Sequence, residues 1–266
     1  MKTYYYTFRL GFSKAFQYKI NFYMGLVSII FPLTIQIFLW KGMFASTLEN
    51  TIFGYTFFEM ITYAVLACLI AKVNSVNFVY EINEDIKNGG LVKYIIRPVN
   101  YRVFHFFSYL GEKVSMIICS AILIIGTYIV GNYLAHGFWN IGKLICFLPA
   151  LAFGMILNFL VFYMVSGLGF WMQDASGVIF ITTLVGNIIS GGIFPLDIFP
   201  QGMQYVLKIL PFSYTTYFPI SILCDTINMK QIAVNCLMQL IWIFICLGVS
   251  EIIWQYGLKR YTAVGG

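Results

Sequence analysis

Charge is what this chain has least of. Only 10% of its 266 residues are Asp, Glu, Lys or Arg and 60% are hydrophobic, whereas a soluble domain carries roughly 25% charged residues. That balance excludes an ordinary water-soluble fold. Histidine is nearly missing, with two residues, and the six cysteines show no CxxC or Cys/His spacing. No metal site is expected, and Cys68, Cys119, Cys146, Cys224, Cys236 and Cys246 read as small apolar packing residues. No GxxxxGK[ST] occurs, so the chain lacks the loop that cradles nucleotide phosphates. The opening MKTYYYTFRLGFSKAFQYKINF lacks the short apolar core and small-residue cleavage site of a secretory signal. No basic patch has the context that nucleic-acid binding needs, and such a partner is not expected.

Long apolar runs are what the chain has in abundance. A membrane-crossing helix needs about 20 mostly apolar residues, and six runs qualify: 22–40, 52–71, 106–134, 144–171, 177–196 and 232–254. The expectation is an all-α membrane protein, one transmembrane domain over 1–266 with six transmembrane helices. Lys2, Arg9, Lys14 and Lys19, the cations from Lys72 to Lys113, and the closing Lys259 and Arg260 fall on one side of such a frame. Lys41, Lys143, Lys208 and Lys230 fall on the other. Excess Lys and Arg mark the cytoplasmic face, which predicts a cell-membrane protein with both termini inside.

Ahead of the first span, in residues 1–21, aromatic residues from Tyr5 through Phe8, Phe12 and Phe16 recur at helical spacing, predicting an amphipathic helix lying in the headgroup region. The one sizeable polar loop on the cytoplasmic side is 74–103. There Val79, Ile82 and Ile86 share a face, Glu81, Glu84, Asp85 and Asn88 lie on others, and Gly89-Gly90 supplies a stop. The pattern predicts a short amphipathic helix, a docking knob for a soluble partner. Arg97-Pro98 closes the segment, because the residue before proline is pushed out of helical geometry.

Two features interrupt the apolar spans. Glu59 lies well within span two, where an ionisable group costs roughly 2.5–3.5 kcal/mol at the centre; with Asn187 in span five it reads as a pathway or subunit contact, or else as a structural hydrogen bond or a residue shallow enough to reach water. Glu112 and Lys113 read as an interfacial pair. The second feature is 190–219, SGGIFPLDIFPQGMQYVLKILPFSYTTYFP, which holds four of the seven prolines. Proline removes a backbone donor, so this density at membrane depth is tolerated only where the chain lines a cavity or is buried in protein. The piece between Pro200 and Pro211 is too short to cross a bilayer. The expectation is a short re-entrant segment before the last span, with Pro195, Leu196, Pro200 and Pro211 forming an outer gate.

The stretches GGIFPLDIFPQGMQYVLKILPFSY, EDIKNGGLVKYIIRPVNY and GLKRYTAVGG, in that arrangement along the chain, resemble the permease subunits of ABC-2 type exporters. The resemblance covers nearly the whole sequence. It implies that the loop helix, with Val79, Glu81, Ile82, Glu84, Asp85 and Ile86, couples to separate ABC ATPase subunits, and that ATP and Mg are bound there while this chain binds no cofactor. It implies a second permease copy, identical or sibling, with the substrate path between the two and spans two and five contributing.

Other classes fit less well. An ion-coupled secondary transporter, the alternative reading, usually shows paired broken helices in its two halves, and the first half has no match for 190–219. A membrane-embedded enzyme needs clustered ionisable groups, while Glu59, Glu112, His105 and His136 are scattered.

Overall fold

The computed structural model describes residues 2–17, 19–47, 50–96, 99–134, 141–172 and 174–261. The stop expected at Arg97-Pro98, His136 and the chain end after residue 261 lie outside the described residues. Among these residues the structure is all-helical, without a strand. Five helical stretches are long and apolar enough to cross a membrane: Tyr23–Ala45, Phe57–Lys87, Tyr101–Thr127, Gly142–Phe170 and Met229–Arg260.

Helix α1 (Lys2–Gln17) packs along the start of α6 (Tyr101–Leu134). The two backbones touch because glycines meet at the crossing. A β-carbon on Gly11 would collide with the Ser108 carbonyl, and one on Gly111 with the Phe8 carbonyl. Tyr4 stacks on Phe107 at 5.8 Å between ring centres, and its hydroxyl accepts from the Asn100 amide at 3.2 Å. Gly111→Leu is therefore expected to push α1 away at a cost of about 1–3 kcal/mol. Faster proteolysis within residues 2–17 reads that out; an unchanged cleavage rate would show that the close crossing does not hold the helix.

The first span is α2 (Lys19–Ala45). The second, α3 (Phe57–Val73), starts on a capping box in which Thr56 and Glu59 satisfy each other's backbone amides. After the four-residue turn 74–77 comes α4 (Phe78–Lys87), followed by the single turn α5 (Val92–Ile95). The third and fourth spans are α6 and α7 (Ile141–Ser166), and α11 (Met229–Arg260) is the last, opened by a second capping box between Asn228 and Gln231.

The fifth expected span is shorter than the sequence pattern implied. Helix α8 (Ser176–Ile189) has 14 residues, about 21 Å of rise against a hydrocarbon core of about 30 Å. It stops because Ser190-Gly191-Gly192 turns the chain, with Gly191 at φ +79°, a conformation that favours glycine. The turn is pinned by two contacts: the Tyr63 hydroxyl donates to the Gly191 carbonyl at 2.7 Å, and the Tyr217 amide to the Ser190 carbonyl at 2.8 Å. Two short helices follow, α9 (Gln201–Ile209) and α10 (Tyr217–Leu223). Each of the four prolines of 190–219 lies where it costs little: Pro195 and Pro200 cap a 3₁₀ turn and α9, Pro211 opens another 3₁₀ turn, and Pro219 lies in the first turn of α10.

The core joins α3, α4, α6, α7, α10 and α11. Its α4 end is aromatic. Phe78 packs against Phe159 and Tyr109, at 4.7 and 5.5 Å between ring centres, and Trp254 stacks on Tyr163 at 4.7 Å. A separate cluster of Trp40, Tyr55 and Met60 closes the opposite end against Phe194.

Candidate functional site

At one end of the bundle α4 is held from three sides. Its apolar face turns inward: Val79 and Ile82 are 0% exposed, and Ile86 is buried. These three, expected on the coupling surface, instead pack against their own chain, because an amphipathic helix lying across a bundle buries its apolar stripe there first. Asn83, also buried, ties α4 to the residues that open α8. Its side-chain amide donates to Asp174 Oδ1 at 3.3 Å and Ser176 Oγ at 3.2 Å, and its carbonyl oxygen accepts from the Ala175 amide at 3.2 Å. Lys87 adds an ion pair to Asp174 at 2.9 Å. Hydrogen bonds from Ser176 and then Lys87 hold the Asp174 carboxyl well below the usual carboxylate range. The start of α8 is thus bolted to α4.

The acidic residues of α4 divide by environment. Asp85 is half-buried and receives Lys93 at 3.0 Å and the Tyr101 hydroxyl at 2.9 Å. Slight burial works against the Lys93 charge, but Asp85 outweighs it and raises the ammonium pKa. Glu81 is exposed and 3.7 Å from Lys14, which also reaches Glu112 at 3.8 Å. Glu84 is exposed and has no ion pair among the described residues.

At the other end one carboxylate gathers four segments. Asp197, in the 3₁₀ turn after Pro195, accepts from the Tyr55 hydroxyl at 2.7 Å, the Tyr217 hydroxyl at 2.8 Å and Lys208 Nζ at 2.7 Å. Gln204 reinforces the same turn by donating to the Asp197 and Phe199 carbonyls at 2.8 and 2.7 Å. Burial alone would raise the Asp197 pKa; the hydrogen bonds from Lys208, Tyr55 and Tyr217 win and lower it. Burial first, and then the Asp197 charge, push the Tyr55 and Tyr217 hydroxyls up. The hub is an ionised acceptor ringed by protonated donors. Nearby, Lys143 pairs with Asp225 and donates to the Ile227 carbonyl at 2.7 Å.

Between the two ends the chain from Pro211 to Thr216 runs through the interior. The Thr215 carbonyl accepts from Asn74 at 2.8 Å, the Tyr214 carbonyl from Gln239 at 2.9 Å, and Asn158 donates to the Asn74 carbonyl at 2.6 Å. Both carbonyls lie against Gly154 of α7. Beside this strut is a cleft of about 440 Å³ walled by α2, the end of α3, α8 and residues 212–216. Polar groups on buried irregular backbone are satisfied here by side chains from three different spans.

The chain matches the model of the family described as ABC-2 family transporter protein over residues 30–265. It belongs to the ABC-2 transporter family. Among curated proteins no match was found. The match takes in α3 to α11 whole, so the hub, the strut and α4 all belong to the family domain of a multi-pass membrane permease.

Of the residues singled out in the permease sequence, Glu59 is corrected in its depth, and its hydrogen bonds are the structural ones of a helix cap. It lies not deep within the second span but in the first turn of α3, where its carboxylate accepts from the Thr56 amide at 2.8 Å and the Thr56 hydroxyl at 2.9 Å. A capping box at an apolar run looks like an intramembrane charge when the helix start is placed five residues early. Asn187 lines the cleft, far along the chain from Glu59, which lines a separate hollow with Asp197 and Lys208. Pro195 and Leu196 are buried beside the hub, while Pro200 is exposed and Pro211 half-buried. Asp197, Asn83, Asn74 and Gln239 were not singled out. Asp197 had a local signal, a lone acid between two prolines in an apolar stretch; Asn74 and Gln239 are single amides in largely apolar sequence, and Asn83 is hidden among the charges of the polar loop.

Proposed function

We propose that this permease is the membrane subunit of an ATP-driven exporter, paired with a second permease copy and driven by separate ABC ATPase subunits that bind ATP and Mg. On this reading the α4 end faces the cytoplasm, as the cation distribution favours. Six segments cross the membrane, α8 being completed by the turn at 190–194. Residues 195–223 re-enter from the outer side and form the outer gate.

One observation carries the proposal: Asn83 and Lys87 lock α4 to the start of α8. A push on the exposed side of α4 therefore reaches α8 directly. The far end of α8 turns at Gly191 onto Tyr63 and Tyr217, and Tyr217 ends on Asp197. The two ends are about 25 Å apart along the 17 residues of α3, linked by packed helices that shift as rigid bodies. Glu84, exposed and without an ion pair among the described residues, is the charge offered to an ATPase groove. Asp85 and Glu81 are engaged within the chain and set the helix position.

The test is co-purification. Tagged wild-type permease taken from native membranes is expected to bring down an ABC ATPase, and Glu84→Arg to lose it by about tenfold or more, with unchanged melting temperature. Absence of any ATPase from the wild-type pull-down refutes the proposal. Uptake into vesicles driven by an ion gradient without ATP would instead establish the secondary transporter.

A further inference from the structure

The cleft between α2, α3 and α8 has an unusual inventory. Among the described residues no Asp or Glu lines it, and the one charged lining residue is Lys72. The ammonium donates to Ser28 Oγ at 3.1 Å and has no carboxylate partner among the described residues. An ammonium carries three donors, so this geometry leaves capacity for an anion. Lys113 strengthens the positive field from behind the wall by donating to Ser75 Oγ, itself a lining group, at 2.6 Å. Glu112, beside Lys113 in sequence, also meets Lys14 at 3.8 Å.

Two buried carboxamides line the same cleft with an acceptor unused. Gln36 is 6% exposed and Asn74 is 7% exposed, yet Gln36 Oε1 and Asn74 Oδ1 have no hydrogen-bond partner among the described residues. A buried acceptor left unpaired costs about 1–3 kcal/mol, so both call for a donor from outside the chain. The remaining walls include Ile29 and Ile193. The flanking helices α2 and α8 expose apolar side chains such as Phe31 and Phe180, which in a membrane face hydrocarbon.

We infer that the cleft binds an anionic lipid whose headgroup carries hydroxyl or N–H donors. The phosphate or carboxylate sits at Lys72 and Ser28, the headgroup donors meet Gln36 and Asn74, and the acyl tails leave between α2 and α8. The volume suits a headgroup, since small-molecule sites run roughly 300–1,000 Å³. The inference stands whether or not an ATPase drives the permease, and its test uses no ATPase.

Native mass spectrometry of the full-length, delipidated permease, offered equal phosphatidylglycerol and phosphatidylcholine, reads the site. Wild type is expected to retain phosphatidylglycerol at least about tenfold over phosphatidylcholine, the effect of one charge-assisted contact. Lys72→Gln is expected to bring the ratio to about one, and Lys41→Gln, outside the cleft, to leave it unchanged. Gln36→Leu is expected to erase the preference for phosphatidylglycerol over phosphatidylethanol, which has the phosphate without the glycerol hydroxyls. Equal retention by wild type overturns the inference without any variant, as does a wild-type ratio in a Lys72→Gln protein that melts normally. Glycerol 1-phosphate is expected not to compete; competition at equal concentration overturns the lipid assignment in favour of a free phosphate site.

Discussion

Asp197→Ala is expected to lower the melting temperature of the detergent-solubilised permease by on the order of 10 °C and to abolish export. The substitution removes the acceptor shared by Tyr55, Tyr217 and Lys208. Lys208 is 40% exposed in its side chain and recovers hydration, so its share is small. The hydroxyls of Tyr55 and Tyr217 are not so placed, and breaking a buried charged network by deleting its centre costs about 3–5 kcal/mol, which in a chain of this size gives the stated shift. Asp197→Asn keeps one acceptor oxygen and should fall between the two. A melting temperature within a degree of wild type in the alanine variant would show that the hub does not hold the four segments.

The same carboxylate sets a pH limit. Its folded pKa is depressed, so its stabilisation is complete above the unfolded value of about 3.9 and is lost as pH falls through the lower folded value. Acidifying from pH 7 to 5 is expected to leave the hub intact. A drop between pH 4 and 3 that disappears in Asp197→Asn identifies the group.

The second large effect is expected at Ile82. Truncating it to alanine opens a cavity under α4 at a cost of about 2–5 kcal/mol, lowering the melting temperature by roughly 5–15 °C. Glu84→Arg, two residues on but exposed, should stay within about 0.5 kcal/mol of wild type. The pair separates the two faces of one ten-residue helix. If Ile82→Ala melts like wild type and loses only the ATPase, then the apolar face is the docking surface after all and the inward packing is not the functional state.

How much of this was legible in the sequence depends on whether the signal was local. The apolar runs of five spans, the 74–103 amphipathic pattern and the four prolines are local, and the helices start and stop close to where those residues require. Which face of α4 turns outward was not legible, because Val79, Ile82 and Ile86 suit a partner's groove as well as the chain's own core. Glu59 misled because a capping carboxylate and a buried one look alike without the helix start. Asn74, Asn158 and Gln239 act across 25 to 141 positions of separation, and nothing in a single sequence pairs them.

The strut has a consequence for how the protein is made. The carbonyls of Tyr214 and Thr215 are satisfied by Gln239 on α11 and by Asn74 at the end of α3. A ribosome delivers α3 long before residues 211–216, but Gln239 emerges after them. Until the last helix enters the bilayer, the Tyr214 carbonyl lacks its amide donor and has to remain with water or with another provisional partner. The strut thus takes its final hydrogen bonding from a helix synthesised after it.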